Sequence, residues 1–272
     1  MIFFAFIRGI FKEALAKKII LSIIIFFSFI IFLILYFINL ESVEGVNALL
    51  ALSGQSQFEE ALLGLEIDMV SGIPGFMLFT LFIILVSSFI PSMLKEGYID
   101  LILSKPISRA KIILGHYVAG LLFVFSALIL FVGIVWLIIS AKTGIWHFKF
   151  LISIPWMTLV FAVLYSTVIF FATVTRSSIF TILINVFLYF PVTWALYKLN
   201  IVLQNKSQIF GATAEFLVKF FYYLLPKPWD LQDTGADIIK GLSINFMPLI
   251  TSVLFIAIMI SLTIVYFKRK DY

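Results

Sequence analysis

Residues 19–38 read IILSIIIFFSFIIFLILYFI, a run without charge in which only Ser22, Ser28 and Tyr36 are polar. A helix rises 1.5 Å per residue, so about 20 apolar residues cross the roughly 30 Å of hydrocarbon in a bilayer. Beyond Ile19–Ile38, five more stretches qualify: Ile73–Leu94, Leu114–Ile139, Leu151–Thr175, Ser178–Tyr197 and Phe246–Phe267. The short alternating strands of an outer-membrane barrel are absent from them. Lipid offers the backbone no hydrogen bonds, so helices remain as the way to span it. The expected fold class is an all-α integral membrane protein with six transmembrane helices, forming a single domain over residues 1–272.

Composition agrees. The 272 residues are 63% hydrophobic and 12% charged, with a mean hydropathy of +1.17. Soluble domains carry about twice that charge. The absence of cysteine excludes disulfides, thiolate metal sites and cysteine nucleophiles. The formal charge of +5 does not point to nucleic acid, because the basic residues are scattered between the apolar runs. They fit the cytoplasmic edges of a membrane protein.

Orientation follows from Lys and Arg in the short flanks. With both termini inside, the cytoplasmic segments hold Arg8, Lys12, Lys17, Lys18, Lys95, Lys105, Arg109, Lys111, Arg176, Lys268, Arg269 and Lys270. Only Glu13, Glu96, Asp100 and Asp271 oppose them. Asn39–Gly72, outside, has Glu41, Glu44, Glu59, Glu60, Glu66 and Asp68 and no basic residue. The expected home is a bacterial or archaeal cytoplasmic membrane.

Two further helices are expected at the membrane surface. Ala5, Arg8, Gly9, Lys12, Glu13 and Ala16 share one helical face, and Phe3, Phe4, Phe6, Ile7, Ile10, Phe11, Ala14 and Leu15 cover the rest. That pattern suits an N-terminal amphipathic helix in the interface. Its long apolar run and lack of a small-residue cleavage site do not suit a signal peptide. Ile209–Leu225 is apolar apart from Glu215 and Lys219, which stand four apart and pair on one face. Each charge at the centre of a span would cost about 2.5–3.5 kcal/mol. This stretch therefore reads as a re-entrant or interfacial helix, closed by Pro226-Lys227-Pro228.

Catalytic patterns are missing. There is no GxxxxGK[ST] to cradle a nucleotide and no HExxH to hold zinc. His116 and His147 lie at span ends and read as packing and hydrogen-bonding residues. Asn205-Lys206-Ser207 matches the glycosylation acceptor pattern, a short and unspecific match. The span interiors contain no Asp, Glu, His, Lys or Arg, whereas ion-driven carriers place such groups at membrane depth. Any transport would then draw its energy from a partner that hydrolyses ATP. No cofactor is expected in this chain itself.

Two groups of polar residues each allow two readings. Thr181, Asn185 and Tyr189 form a stripe on one helical face, either bonding helix to helix or lining a path. Glu59, Glu60, Glu66 and Asp68 supply oxygen ligands for a cation, but negative-outside bias alone explains them.

Between the second and third spans runs LKEGYIDLILSKPISRAKIILGHY, Leu94–Tyr117. Leu94, Tyr98, Leu101 and Ile102 share a face opposite Lys95, Glu96 and Asp100, which predicts a short amphipathic helix over Lys95–Leu103. Pro106 ends it, and Ser108 is placed to cap the next helix. An ordered helix, stop and cap with mixed charges make a docking surface a better reading than a solvated loop.

This loop resembles the first intracellular loop of type-2 ABC-exporter permeases. Glu96-Gly97, the run Leu101–Arg109 and Gly115 carry the likeness, together with the N-terminal helix, the six spans and the loop ending in Pro226-Lys227-Pro228. The resemblance implies two permease copies working with two cytosolic ABC ATPase subunits, which would hold the ATP and Mg. It implies that Lys95–Leu103 is the coupling helix, so that Lys95, Glu96, Tyr98, Asp100, Ser104, Lys105 and Arg109 meet the ATPase. It also implies that spans one and five meet across the dimer, with Thr181, Asn185 and Tyr189 at that seam or on the path. The loop helix around Phe216 would cap the exit. Membrane lipid is the remaining partner, and nucleic acid is not one. The expected function is the permease subunit of an ATP-driven exporter. The rival reading is a non-transporting membrane scaffold or assembly factor that recruits a cytosolic protein through the same loop.

The orientation is testable because single cysteines enter a chain that has none. An impermeant maleimide added to intact cells is expected to label Gln57→Cys and to spare Ser104→Cys. Labelling of the second without permeabilisation reverses the topology.

Overall fold

The computed structural model describes residues 2–37, 58–95, 97–104, 107–205, 211–243 and 245–270. Glu96 and Lys105 of the coupling loop lie outside the described residues. So do Pro106, Glu41 and Glu44, Lys206 and Ser207 of the acceptor pattern, and Asp271. Every regular element among the described residues is helical.

Helix α1, Ile2–Ala16, meets α2, Ile19–Phe37, at a bend of 70°. Lys18 makes the turn in the left-handed region at φ 57°. Next come α3, Phe58–Ser71, α4, Ile73–Val86, and α5, Phe89–Met93. They form one 36-residue helical stretch, Phe58–Met93, interrupted at Gly72 and at Ser87-Ser88. Pro74 sits in the first turn of α4, where its missing N–H has no partner to lose. Gly75 is tight as well, since a Cβ there would stand 2.8 Å from the Val70 carbonyl carbon.

After the short α6, Tyr98–Leu103, the chain enters α7, Arg109–Thr143, capped by the Ser108 hydroxyl, which accepts from the Lys111 N–H. At 35 residues α7 is about 52 Å long, well beyond the hydrocarbon thickness. Gly144, at φ 74°, ends it. Helix α8 is Lys149–Thr175, and Arg176 in the left-handed region turns the chain into α9, Ser178–Phe187. A π-helical segment, Leu188–Thr193, joins α9 to α10, Trp194–Asn205. Then follow α11, Ala212–Leu224, α12, Pro228–Lys240, and α13, Phe246–Arg269.

Among the described residues, five stretches are long and apolar enough to cross a membrane: Phe58–Met93, Arg109–Thr143, Lys149–Thr175, Ser178–Gln204 and Phe246–Arg269. The bent pair α1–α2 makes six if it is taken as one crossing. The chain is thus a multi-pass, all-α membrane protein. Five of the expected spans overlap those five stretches, Leu94 lying one residue past the first, and the described part of Ile19–Ile38 is α2. The helices outrun the expected spans because hydropathy reports transfer into hydrocarbon and not where a helix stops. The expected Ile209–Leu225 helix is α11; α12 behind it was not expected.

Helix α8 is the centre of the bundle. Every residue from Val160 to Ile169 is buried, and α7, α9, α12 and α13 pack around it. The Tyr165 ring stacks between Tyr117 and Phe161, at centroid distances of 5.7 and 5.3 Å. Tyr117 Oη donates to the Ala162 carbonyl at 2.9 Å. Helices in lipid associate through close packing, for which small residues are needed at the contact. Gly120 is such a residue: a Cβ there would lie 2.5 Å from Tyr165 Cζ. Gly115 is another, with Phe6 Cε2 only 2.7 Å from the position of a Cβ.

Gly120→Ala is expected to cost about 1–3 kcal/mol through overpacking, read as a lower thermal midpoint of the purified protein. Gly133→Ala on the same helix meets nothing within 4 Å and is expected to show no loss. Equal midpoints for the two variants would remove the Gly120–Tyr165 contact as a packing constraint.

Candidate functional site

Two places gather the residues that the sequence singled out. The first is the loop between α5 and α7. Leu94 is buried, and Gly97 takes φ 78°, a conformation costly for other residues. That turn resets the helical phase, so α6 begins at Tyr98 rather than Lys95. Asp100 holds the start of the helix by accepting from the Gly97 N–H at 3.2 Å. Ile99 is buried, 4% exposed, and Ile102 packs against the core. Lys95, Asp100 and Ser104 face outward. Ile99 was missed because the face drawn from Leu94 runs through the phase break at Gly97.

Arg109 has a role inside the chain. Its Nη1 donates to the carbonyls of Phe267, Lys268 and Lys270, at 3.0, 3.2 and 2.7 Å. The guanidinium also lies 5.9 Å from the centre of the Phe267 ring. The last carbonyls of a helix have no intrahelical donor and carry partial negative charge, which a cation satisfies. Arg109 therefore ties the base of α7 to the end of α13.

The second place is the stripe of Thr181, Asn185 and Tyr189, all three at most 1% exposed. Asn185 Nδ2 donates to the Thr181 carbonyl at 2.8 Å, and Asn185 Oδ1 accepts from the Thr167 hydroxyl of α8. Thr181 donates to the Ser177 carbonyl at 2.7 Å. Further along, Tyr189 Oη accepts from Gln232 Nε2 at 2.8 Å. Its ring stacks on Trp229 at 5.2 Å and on Phe76 at 5.5 Å. The stripe is turned toward α8 and α12 of its own chain. On the other side of α9, Ile179, Leu183 and Phe187 are exposed.

The π-helical turn explains part of this geometry. Pro191 lacks an N–H and cannot continue the α-helical ladder, so the chain widens by a turn. The Tyr189 carbonyl receives the Thr193 hydroxyl at 2.6 Å and Trp229 Nε1 at 3.1 Å. Trp229 and Gln232 are not among the residues that the sequence singled out. Their signal was present in Leu231, Gln232, Gly235, Ala236, Ile238 and Ile239, which form one buried helical face.

Outward from the stripe, Tyr197 donates to Asp233 and Tyr222 donates to Asp230, tying α10 and α11 to α12. Burial pushes the Asp230 carboxyl above the usual carboxylate range, with Tyr222 and Lys227 acting against it. Lys227 is only 4% exposed, with Nζ 4.3 and 4.2 Å from the ring centres of Tyr222 and Tyr223. In the acidic segment, Glu66 pairs with His147 at 2.5 Å and joins α3 to the α7–α8 turn. Among the described residues no three His, Asp or Glu converge as metal ligands. His116 is buried, 5.2 Å from the Phe6 ring.

The model of a family described as a protein of unknown function, DUF2705, matches residues 54–272. The match takes in both places and leaves out α1 and α2. No curated protein matches the chain.

Tyr189→Phe would leave Gln232 Nε2 buried without its partner, beside an Oε1 that already has none among the described residues. An orphaned buried donor costs about 1–3 kcal/mol. The single variant is expected to lower the thermal midpoint, and adding Gln232→Leu is expected to recover most of the loss. Additive losses would show that the two residues do not act as a pair.

Proposed function

We propose a transport role for this chain, which belongs to the DUF2705 family: it is the permease subunit of an ATP-driven exporter in a bacterial or archaeal cytoplasmic membrane. Two copies form the path and two copies of a separate cytosolic ATPase, with ATP and Mg, drive it. The observation that carries the reading is the mounting of α6. Its apolar residues Ile99 and Ile102 are rooted in the core, while Asp100 faces outward. It lies between α5 and α7, and Arg109 continues the connection to α13. A load on α6 thus reaches three spanning elements, as alternating access driven from the cytosol requires.

The orientation is supported by charge and contact together. Lys17 reaches Ser88 and Ser92, and Arg109 reaches the carbonyls of Phe267, Lys268 and Lys270. These bonds gather the α1–α2 bend, the loop before α7 and the end of α13 at one pole of the bundle. The segments rich in Lys and Arg are the ones gathered, which supports a cytoplasmic placement for that pole and both termini. In this reading the seam between permease copies uses the exposed side of α9 and α2, and the buried Thr181–Asn185–Tyr189 stripe holds α9 against α8 and α12 within each copy. The apolar runs read from the sequence as spans hold no ionisable relay in their interiors, which supports an external energy source.

Asp100 has two jobs to separate, charge and helix capping. Asp100→Asn keeps an oxygen for the Gly97 N–H, and Asp100→Lys reverses the charge. Juxtaposed like charges can cost several kcal/mol at an interface. Asp100→Lys combined with Glu96→Lys is expected to reach the membrane at normal levels and to lose at least tenfold in co-purification with the partner ATPase. Normal co-purification with normal stimulated hydrolysis sinks the docking role and leaves the scaffold reading.

A further inference from the structure

At the bend between α1 and α2, facing α5, is an open cavity of about 480 Å³. Lys12, Glu13 and Lys17 line one wall, and Ser92 and Lys95 the other. Lys17 Nζ is held in place by Glu13 at 2.7 Å, the Ser88 hydroxyl at 3.1 Å and the Ser92 hydroxyl at 2.5 Å. Glu13 offsets one positive charge. Lys12 and Lys95 are exposed, stand on opposite walls and have no partner among the described residues. Three lysines against one glutamate leave the cavity positive. Its floor at Gly9 is open, since a Cβ there would meet nothing within 4 Å.

The surroundings decide what kind of anion fits. Leu15 beside the cavity is 62% exposed. Helix α2 starts two residues past Lys17 and presents Leu21, Ile24, Ile25 and Phe29, each more than half exposed. A cationic cavity at the foot of an exposed apolar helix matches an amphiphile with a negative head. Long lysine stems at such a boundary extend their charged ends toward the headgroups. A free phosphate shares the head chemistry but has nothing to lay along α2.

We infer that this cavity binds the phosphate headgroup of an anionic phospholipid, with the acyl chains lying against α2. The site stands apart from the exporter reading: a scaffold would have it as well.

The test is native mass spectrometry of the purified full chain, exposed separately to phosphatidylglycerol, phosphatidylcholine and inorganic phosphate. One phosphatidylglycerol per chain is expected to persist, with several-fold preference over phosphatidylcholine, and millimolar inorganic phosphate is expected to leave it bound. Lys12→Gln with Lys95→Gln should keep the thermal midpoint and weaken retention on the order of tenfold. Lys12→Arg with Lys95→Arg should restore it. Asp100→Lys should retain the lipid even where it loses the ATPase, which keeps the two proposals separable. Equal retention by the wild type and the Gln pair overturns the site. Displacement of the lipid by inorganic phosphate also overturns it, and assigns the cavity to a soluble anion.

Discussion

A peptide group in hydrocarbon has no water to bond, so each N–H and C=O must find its partner within the protein. Many hydroxyls of this chain follow that rule. Ser87, Thr143, Thr158, Thr173 and Thr263 each donate to the carbonyl four residues earlier in their own helix. They leave little exposed polarity on the spans. Where the helical ladder does fail, at Pro191, the chain answers with a wider turn, a threonine hydroxyl and an indole N–H from α12. The same constraint recruits Arg109 to the open end of α13. The polar chemistry of the bundle is concentrated where backbone continuity is hardest to keep.

Helix α12 links that constraint to the rest of the fold. It is too short and too charged to span, yet one side of it is buried against α8 and α3. At Gly235 a Cβ would meet Val70 Cγ1 and Trp156 Cβ at ordinary contact distance, so the packed side has room for an alanine there. Its other side holds Asp230 and Asp233, which receive the tyrosine hydroxyls of α11 and α10. The helix thus works as a wedge with a packed edge and a hydrogen-bonded edge. It converts the apolar bundle into a structure with a defined polar end.

The spans were legible because a twenty-residue apolar run has one physical solution in lipid. The cap at Ser108 was legible from the sequence as well, and so was the common face of Asn185 and Tyr189, though not the direction in which that face turns. Two things were not. The burial of Ile99 depends on the left-handed Gly97, whose conformation no pattern of apolar residues announces. The partners of Arg109 stand about 160 residues away in sequence, and its charge alone had read as a cytoplasmic contact. Local periodicity carries helices and faces; it carries neither phase breaks nor distant carbonyls.

The π-helical turn has a consequence for register. It accommodates more residues per turn than the α-helices on either side, so the phase of α10 is shifted relative to that of α9. Asn185 before the segment and Tyr197 beyond it both find partners within the chain. Closing Leu188–Thr193 to a regular α-helix with all six residues kept would rotate everything beyond by about 100° while leaving every hydrophobic run intact. Tyr197 would swing away from Asp233, although the hydropathy profile would scarcely change. Length at this point of the chain is itself a piece of structural information, held by one proline.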